Sequence, residues 1–246
     1  MAPRNITTLL FDCDNTLVLS EELAFEGCAD LINEICEKHG LPERFTGSTL
    51  IKEFVGQNFR GMMTSLQERY GFTMADAELE DYVRREEDVV IAKLKAHGLP
   101  CPGVDDVLAK LEREKKYEMA VVSSSALRRV KASIEKVGQD KFFGDSVFSA
   151  ATSLPKPTSK PDPAIYLHAM EVLGKKADEC VAIEDSKSGT LSGARAGIKV
   201  VGYVGPYEDD KRAEMEKVLR DAGAVVVMQD WAEFESCLKQ IESGSV

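Results

Sequence analysis

From Cys101 onward the chain alternates short, near-continuous apolar runs with amphipathic stretches of helical length. Met119-Ala120-Val121-Val122, Cys180-Val181-Ala182-Ile183 and Lys199-Val200-Val201-Gly202-Tyr203-Val204 show no alternating polar face. A strand of that kind must be covered on both sides, as in a parallel sheet whose crossovers are helices. The pattern predicts strands over 118–122, 146–149, 180–183, 199–204 and 224–228. Helices are predicted over 104–115, 126–137, 162–173, 187–196, 208–221 and 231–242. One more apolar run, Thr7-Thr8-Leu9-Leu10-Phe11, belongs with this set although it lies far upstream.

The intervening segment has a different period. Leu23, Ala24, Cys28, Leu31, Ile32 and Ile35 form one stripe at helical spacing, which predicts a helix over 21–39 stopped by Gly40 and Pro42. Further helices are expected over 48–54, 59–70 and 76–97, and no strand between Val18 and Leu99. The expected fold class is therefore α/β, with a Rossmann-like parallel sheet core built from residues 1–17 and 100–246. Residues 18–99 would form an inserted helical cap domain over the carboxyl ends of the strands, where open α/β sheets bind ligands.

Composition narrows the partners. A chain of 246 residues, 43% hydrophobic, can bury a sizeable core. Its net charge of −11 offers no basic patch, which argues against nucleic acid and against an anionic membrane surface. No stretch approaches the roughly 18 apolar residues of a membrane span. Cys13, Cys28, Cys36, Cys101, Cys180 and Cys237 lack a CxxC pair or zinc-ligand spacing and read as reduced thiols. A cytoplasmic monomer acting on a small molecule is expected.

The chemistry gathers where predicted strands end. Asp12 and Asp14 follow the first strand, Ser123 closes another with Ser124 and Ser125 behind it, and Glu184-Asp185 ends a third. The rigid segment Ser159-Lys160-Pro161-Asp162-Pro163 presents Lys160 just before a helix. If these strands are neighbours, four carboxylates converge around one lysine, and they cannot all stay ionised without a further cation. Hard oxygen ligands select Mg2+. The same parts suit phosphoryl transfer, with one carboxylate as nucleophile and another as proton shuttle.

The segment Leu9-Leu10-Phe11-Asp12-Cys13-Asp14-Asn15-Thr16 resembles the hhhhDxDxT motif of the haloacid dehalogenase superfamily, in the β-phosphoglucomutase and phosphoglycolate phosphatase-like group. Ser123, Lys160 in its Lys-Pro-Asp-Pro context, and Glu184-Asp185 resemble that superfamily's second, third and fourth motifs. Cys101-Pro102-Gly103-Val104 resembles the turn at which such chains re-enter the core. The resemblance implies a phosphatase of small phosphorylated metabolites, with a phosphomutase as the alternative. Asp12 would become the aspartyl-phosphate, and Asp14 would act as general acid and then base. Ser123 and Ser124 would bind the phosphoryl group, and Lys160 would offset its charge. Asp12, Asp14, Glu184 and Asp185 would hold Mg2+. Gly56, Gln57, Asn58 and Arg60 resemble the cap turn that touches substrate. Asn15 stands where glycine is usual and is expected at positive φ. Arg128 and Arg129 are expected to face solvent.

Overall fold

The computed structural model describes residues 5–54 and 57–246. They divide into two compact units, one joining the N-terminal segment through Leu19 with Leu99–Val246, the other spanning Ser20–Gly98.

In chain order the strands are β1 (Thr8–Phe11), β2 (Val18–Leu19), β3 (Leu99–Pro100), β4 (Glu118–Ser123), β5 (Val147–Ser149), β6 (Cys180–Glu184), β7 (Lys199–Tyr203) and β8 (Ala224–Met228). The helices of the Ser20–Gly98 unit are α1 (Glu21–Lys38), α2 (Gly47–Glu53), α3 (Phe59–Tyr70) and α4 (Asp76–His97). The larger unit carries α5 (Val104–Glu114), α6 (Leu127–Lys136), α7 (Asp140–Phe143), α8 (Ala164–Leu173), α9 (Lys187–Arg195), α10 (Asp209–Asp221) and α11 (Phe234–Glu242).

Six of the strands form one parallel sheet in the order β5-β4-β1-β6-β7-β8. Both faces are covered, which is why its strands read as unbroken apolar runs. Leu9 and Phe11 face one core layer, with Trp231, Phe234, Val104 and Leu108, while Leu10 faces the other, with Ile165, Tyr166 and Ala169. The Phe11 ring centroid lies 5.9 Å from that of Phe143 and 6.2 Å from that of Trp231. Side chains so fully buried contribute about 1.5–3 kcal/mol each, so a polar substitution in β1 would unseat the strand from which the Asp12-Cys13-Asp14 segment emerges.

The smaller unit has its own core of Leu31, Ile32, Ile35, Leu50, Phe54, Met62, Met63, Leu66 and Tyr82. Thr46 caps α2 in a reciprocal capping box, and Asn58 caps α3 by accepting the Gly61 N–H. Among the described residues, no helix is long and apolar enough to cross a membrane.

Three features depart from the expected elements. β2 and β3 pair antiparallel at the roots of the inserted segment, Val18 opposite Pro100 and Leu19 opposite Leu99. A strand of two residues is too short to display any periodicity. The four-residue helix α7 is likewise too short for a helical stripe, and the expected helix at 231–242 opens with a 3-10 turn over Trp231–Glu233, where Asp230 accepts the Ala232 N–H.

Candidate active site

Strand register assembles the site. Phe11 pairs with Val121 on β4 and with Ile183 on β6, so three neighbouring strands end at nearly one level. The next residues to emerge are Asp12, Ser123, Glu184 and Asp185. The Asp12 N–H still donates to the Ile183 carbonyl at 3.0 Å, which extends the ladder one step past β1. Beyond it the chain turns sharply, with the Cys13 carbonyl accepting from the N–H groups of Thr16, Leu17 and Val18. Asn15 holds φ 56°, as its place in the motif predicts.

Lys160 enters this cluster from the loop before α8. Its ammonium donates to Asp12 Oδ1 at 2.7 Å, Glu184 Oε1 at 2.6 Å and the Val122 carbonyl at 2.7 Å, so all three protons are used. Its backbone N–H donates to Ser124 Oγ at 3.1 Å. Tyr166 adds a buried phenol whose hydroxyl donates to Glu184 Oε1 at 2.5 Å, and its ring centroid lies 5.1 Å from the ammonium. Asp12, Lys160, Glu184 and Asp185 are all buried.

Burial sets the electrostatics. It pushes the Asp12 carboxyl up to about 7; the Lys160 ammonium opposes the rise, while Glu184 and Asp14 add to it. Burial alone would lower the Lys160 pKa, but the charges of Asp12 and Glu184 prevail and raise it. Burial and the neighbouring Glu184 carboxylate push the Tyr166 phenol well up.

Asp12, Glu184 and Asp185 each bring one carboxylate oxygen to within 4.8 Å of the others. Among the described residues, buried Glu184 Oε2 finds no hydrogen-bond partner. A trio of hard oxygens with one orphaned acceptor fits a small divalent cation. Gly189 makes room for this carboxylate, because a Cβ there would lie 1.8 Å from Glu184 Oε2. Gly189→Ala is therefore expected to displace Glu184, lower turnover and cost about 1–3 kcal/mol, as overpacking does. Wild-type rates and an unchanged denaturant midpoint in that variant would show that Glu184 is not so confined.

The Asp14 carboxylate is engaged apart from that trio. Ser125 Oγ donates to its Oδ2 at 2.7 Å, and the Arg129 guanidinium lies 3.3 Å from its Oδ1. Arg128 is exposed as expected, but Arg129 is not a solvent-facing residue: its side chain is only 20% exposed and is turned to Asp14. Nothing in the apolar stripe of α6 distinguishes the two arginines; only the fold does.

Ser123 is buried, and its hydroxyl accepts the Ser125 N–H at 3.0 Å. A supporting hydroxyl relay, not foreseen from sequence, lies behind this loop. Ser149 Oγ donates to the Ser125 carbonyl at 2.7 Å, and Thr152 Oγ1 donates to Ser149 Oγ while accepting the Leu127 N–H. Tyr207 reaches the Asp185 carbonyl at 3.2 Å, and Thr16 reaches the Asp185 carboxylate at 3.4 Å.

In the smaller unit the expected substrate contacts have partners of their own. Gln57 Oε1 accepts from Ser65, Asn58 caps α3, and Arg60 forms a bidentate pair with Glu80 at 2.7 and 2.9 Å. Gly56 lies outside the described residues.

Residues 6–197 match the profile of the family described as haloacid dehalogenase-like hydrolase. The chain is 29% identical over 203 residues to the 6-phosphogluconate phosphatase of Escherichia coli K12, covering 79% of this chain and 81% of that protein. It is 27% identical to the phosphorylated carbohydrates phosphatase of Thermotoga maritima, over 95% of this chain and 98% of that one. Among solved structures, a HAD family hydrolase from Deinococcus radiodurans with bound phosphate and sodium superposes with a TM-score of 0.72 at 23% identity, over 97% of each chain.

Proposed function

This chain belongs to the haloacid dehalogenase-like hydrolases, and we propose that it is a Mg2+-dependent phosphatase of small phosphorylated carbohydrates working through an aspartyl-phosphate on Asp12. The observation that carries this reading is the buried ammonium of Lys160 held between Asp12 and Glu184, beside a carboxylate oxygen that lacks a partner. The substrate class rests on the two relatives named for phosphogluconate and for phosphorylated carbohydrates.

The steps follow from the residues. Lys160 fixes the Asp12 carboxylate and offsets charge on the incoming phosphoryl group. An Asp12 oxygen attacks phosphorus as the ester P–O bond breaks, and Asp14 gives its proton to the departing oxygen. Water then attacks the phosphoryl group, losing a proton to Asp14, and the bond to Asp12 breaks to release phosphate. The Ser123 hydroxyl, which accepts the Ser125 N–H, keeps its own hydrogen to donate to a phosphoryl oxygen, with Ser124 beside it. Asp12, Glu184 and Asp185 would hold Mg2+, with Asp14 contributing from the same turn. When bound, the ion supplies positive charge against these acidic residues and the transferring group.

In this reading the inserted helical unit acts as the cap that recognises the leaving group. Gln57, Asn58 and Arg60, with Gly56, are its candidate contacts, and each of the first three would exchange a present partner for substrate. All six cysteines are buried thiols outside any disulfide, which supports a reducing, cytoplasmic setting; a monomer suffices, since every group invoked comes from one chain.

The test is phosphate release from a panel of sugar, polyol and sugar-acid phosphates. Activity is expected with Mg2+, to vanish in chelator and to return when Mg2+ is restored. Full activity in chelator, with bound metal shown absent, would defeat the metal assignment. An isomeric sugar phosphate formed in place of free phosphate would defeat the phosphatase assignment.

A further inference from the structure

We propose that Arg129 is a positioning residue for proton transfer: together with Ser125 it clamps the Asp14 carboxylate in the orientation from which the leaving group is served. The inference rests on the reading of Asp14 as acid and base given above.

Asp14 sits in the turn beyond β1 with its side chain 28% exposed, where a carboxylate held at one point would swing freely. Two side chains grip it, one on each oxygen: Ser125 Oγ on Oδ2 at 2.7 Å and Arg129 on Oδ1 at 3.3 Å. Pinning both oxygens fixes the rotation of the carboxylate plane as well as its place. Both grips come from one short stretch of chain, the loop after β4 and the first turn of α6.

That stretch is itself anchored. The Arg129 N–H donates to the Ala126 carbonyl, and Ser133 Oγ donates to the Arg129 carbonyl. The Ser125 carbonyl accepts from Ser149, and Ser123 Oγ takes the Ser125 N–H. The segment that binds the phosphoryl group in the proposed reaction is thus the one that orients the acid. Distance between acid and leaving oxygen is thereby set by one rigid element, and small misplacements of a catalytic group carry large rate penalties.

A role through Asp14 has a signature that a role in folding or substrate binding lacks. Phenolate leaving from phenyl phosphate resembles a tyrosinate, with a conjugate acid near pKa 10, and it depends on protonation. The nitrophenolate of p-nitrophenyl phosphate is a much better leaving group and depends on it less. With the Mg2+-loaded enzyme, Arg129→Ala should lower kcat/KM, which reports the ester-cleaving step, about 10-fold more on phenyl phosphate than on p-nitrophenyl phosphate, a part of the roughly 10²–10⁴ that a placed acid supplies. Arg129→Lys should restore most of the difference. In an Asp14→Asn background, Arg129→Ala should add no further loss. Arg129→Gln keeps the test available should the alanine variant fail to fold.

Equal losses on both esters, or a full additional loss in the Asp14→Asn background, would overturn the proposal while leaving Asp14 its role. If Asp14→Asn itself does not discriminate between the esters, the assignment of Asp14 falls and this proposal falls with it.

Discussion

Asp12→Asn is expected to abolish turnover while the protein stays folded. The amide is nearly isosteric, and its oxygen can still accept from Lys160, which now donates to Asp12 Oδ1 at 2.7 Å. It cannot form an acyl-phosphate, so the covalent route is closed. In a protease, removing the nucleophile costs on the order of 10⁶ in rate, and a loss of that order is expected here. Stability should hold or rise slightly in chelator, because Glu184 still pairs the Lys160 ammonium while burial already disfavours the charged Asp12 carboxylate that the substitution removes. Acid-quenched wild-type enzyme should carry a phosphoryl group on the peptide containing Asp12, and the variant none. Near-normal rates in Asp12→Asn would rule out covalent catalysis by this residue.

The residues that make this prediction possible were legible in the sequence for a physical reason. Strands buried on both faces leave unbroken apolar runs, and paired acids placed directly after such runs stand out against them. Knowing that β1 lies between β4 and β6 then converts three separate strand ends into one site.

What the sequence concealed has an equally physical cause. Arg128 and Arg129 are adjacent and chemically identical, and which one turns inward depends on where α6 begins relative to Asp14. Tyr166 reads as one more apolar position on α8, yet its hydroxyl supports Glu184. The need for glycine at 189 follows from a carboxylate arriving from another element, a contact that no local pattern encodes. Asn58 and Arg60 look like ligand donors by residue type, and type alone could not reveal that one caps its own helix and the other pairs with Glu80. Polar side chains have several possible partners, whereas an apolar run has one destination; elements are therefore easier to read than side-chain roles.

Lys160→Met is the sharper test of the electrostatic core. Methionine approximates the length and bulk of the lysine stem, so packing is largely kept and the ammonium alone is lost. That ammonium lies in a side chain only 3% exposed and touches two carboxylates and the Val122 carbonyl. Removing one partner of a buried ionic cluster strands the others, at a cost of about 3–5 kcal/mol. In chelator the variant should lose about that much stability in denaturant melts. Mg2+ should return part of it, because a divalent cation compensates the same carboxylates. Turnover should fall by about 10²–10³ even with saturating Mg2+, the usual effect of deleting one preorganised charge-stabilising donor. Lys160→Arg should rescue poorly, since a planar guanidinium cannot reproduce three donors diverging from one atom. Unchanged stability in chelator would mean that Asp12 and Glu184 do not depend on Lys160 for their charge, and the account of the site as one coupled ionic cluster would have to be abandoned.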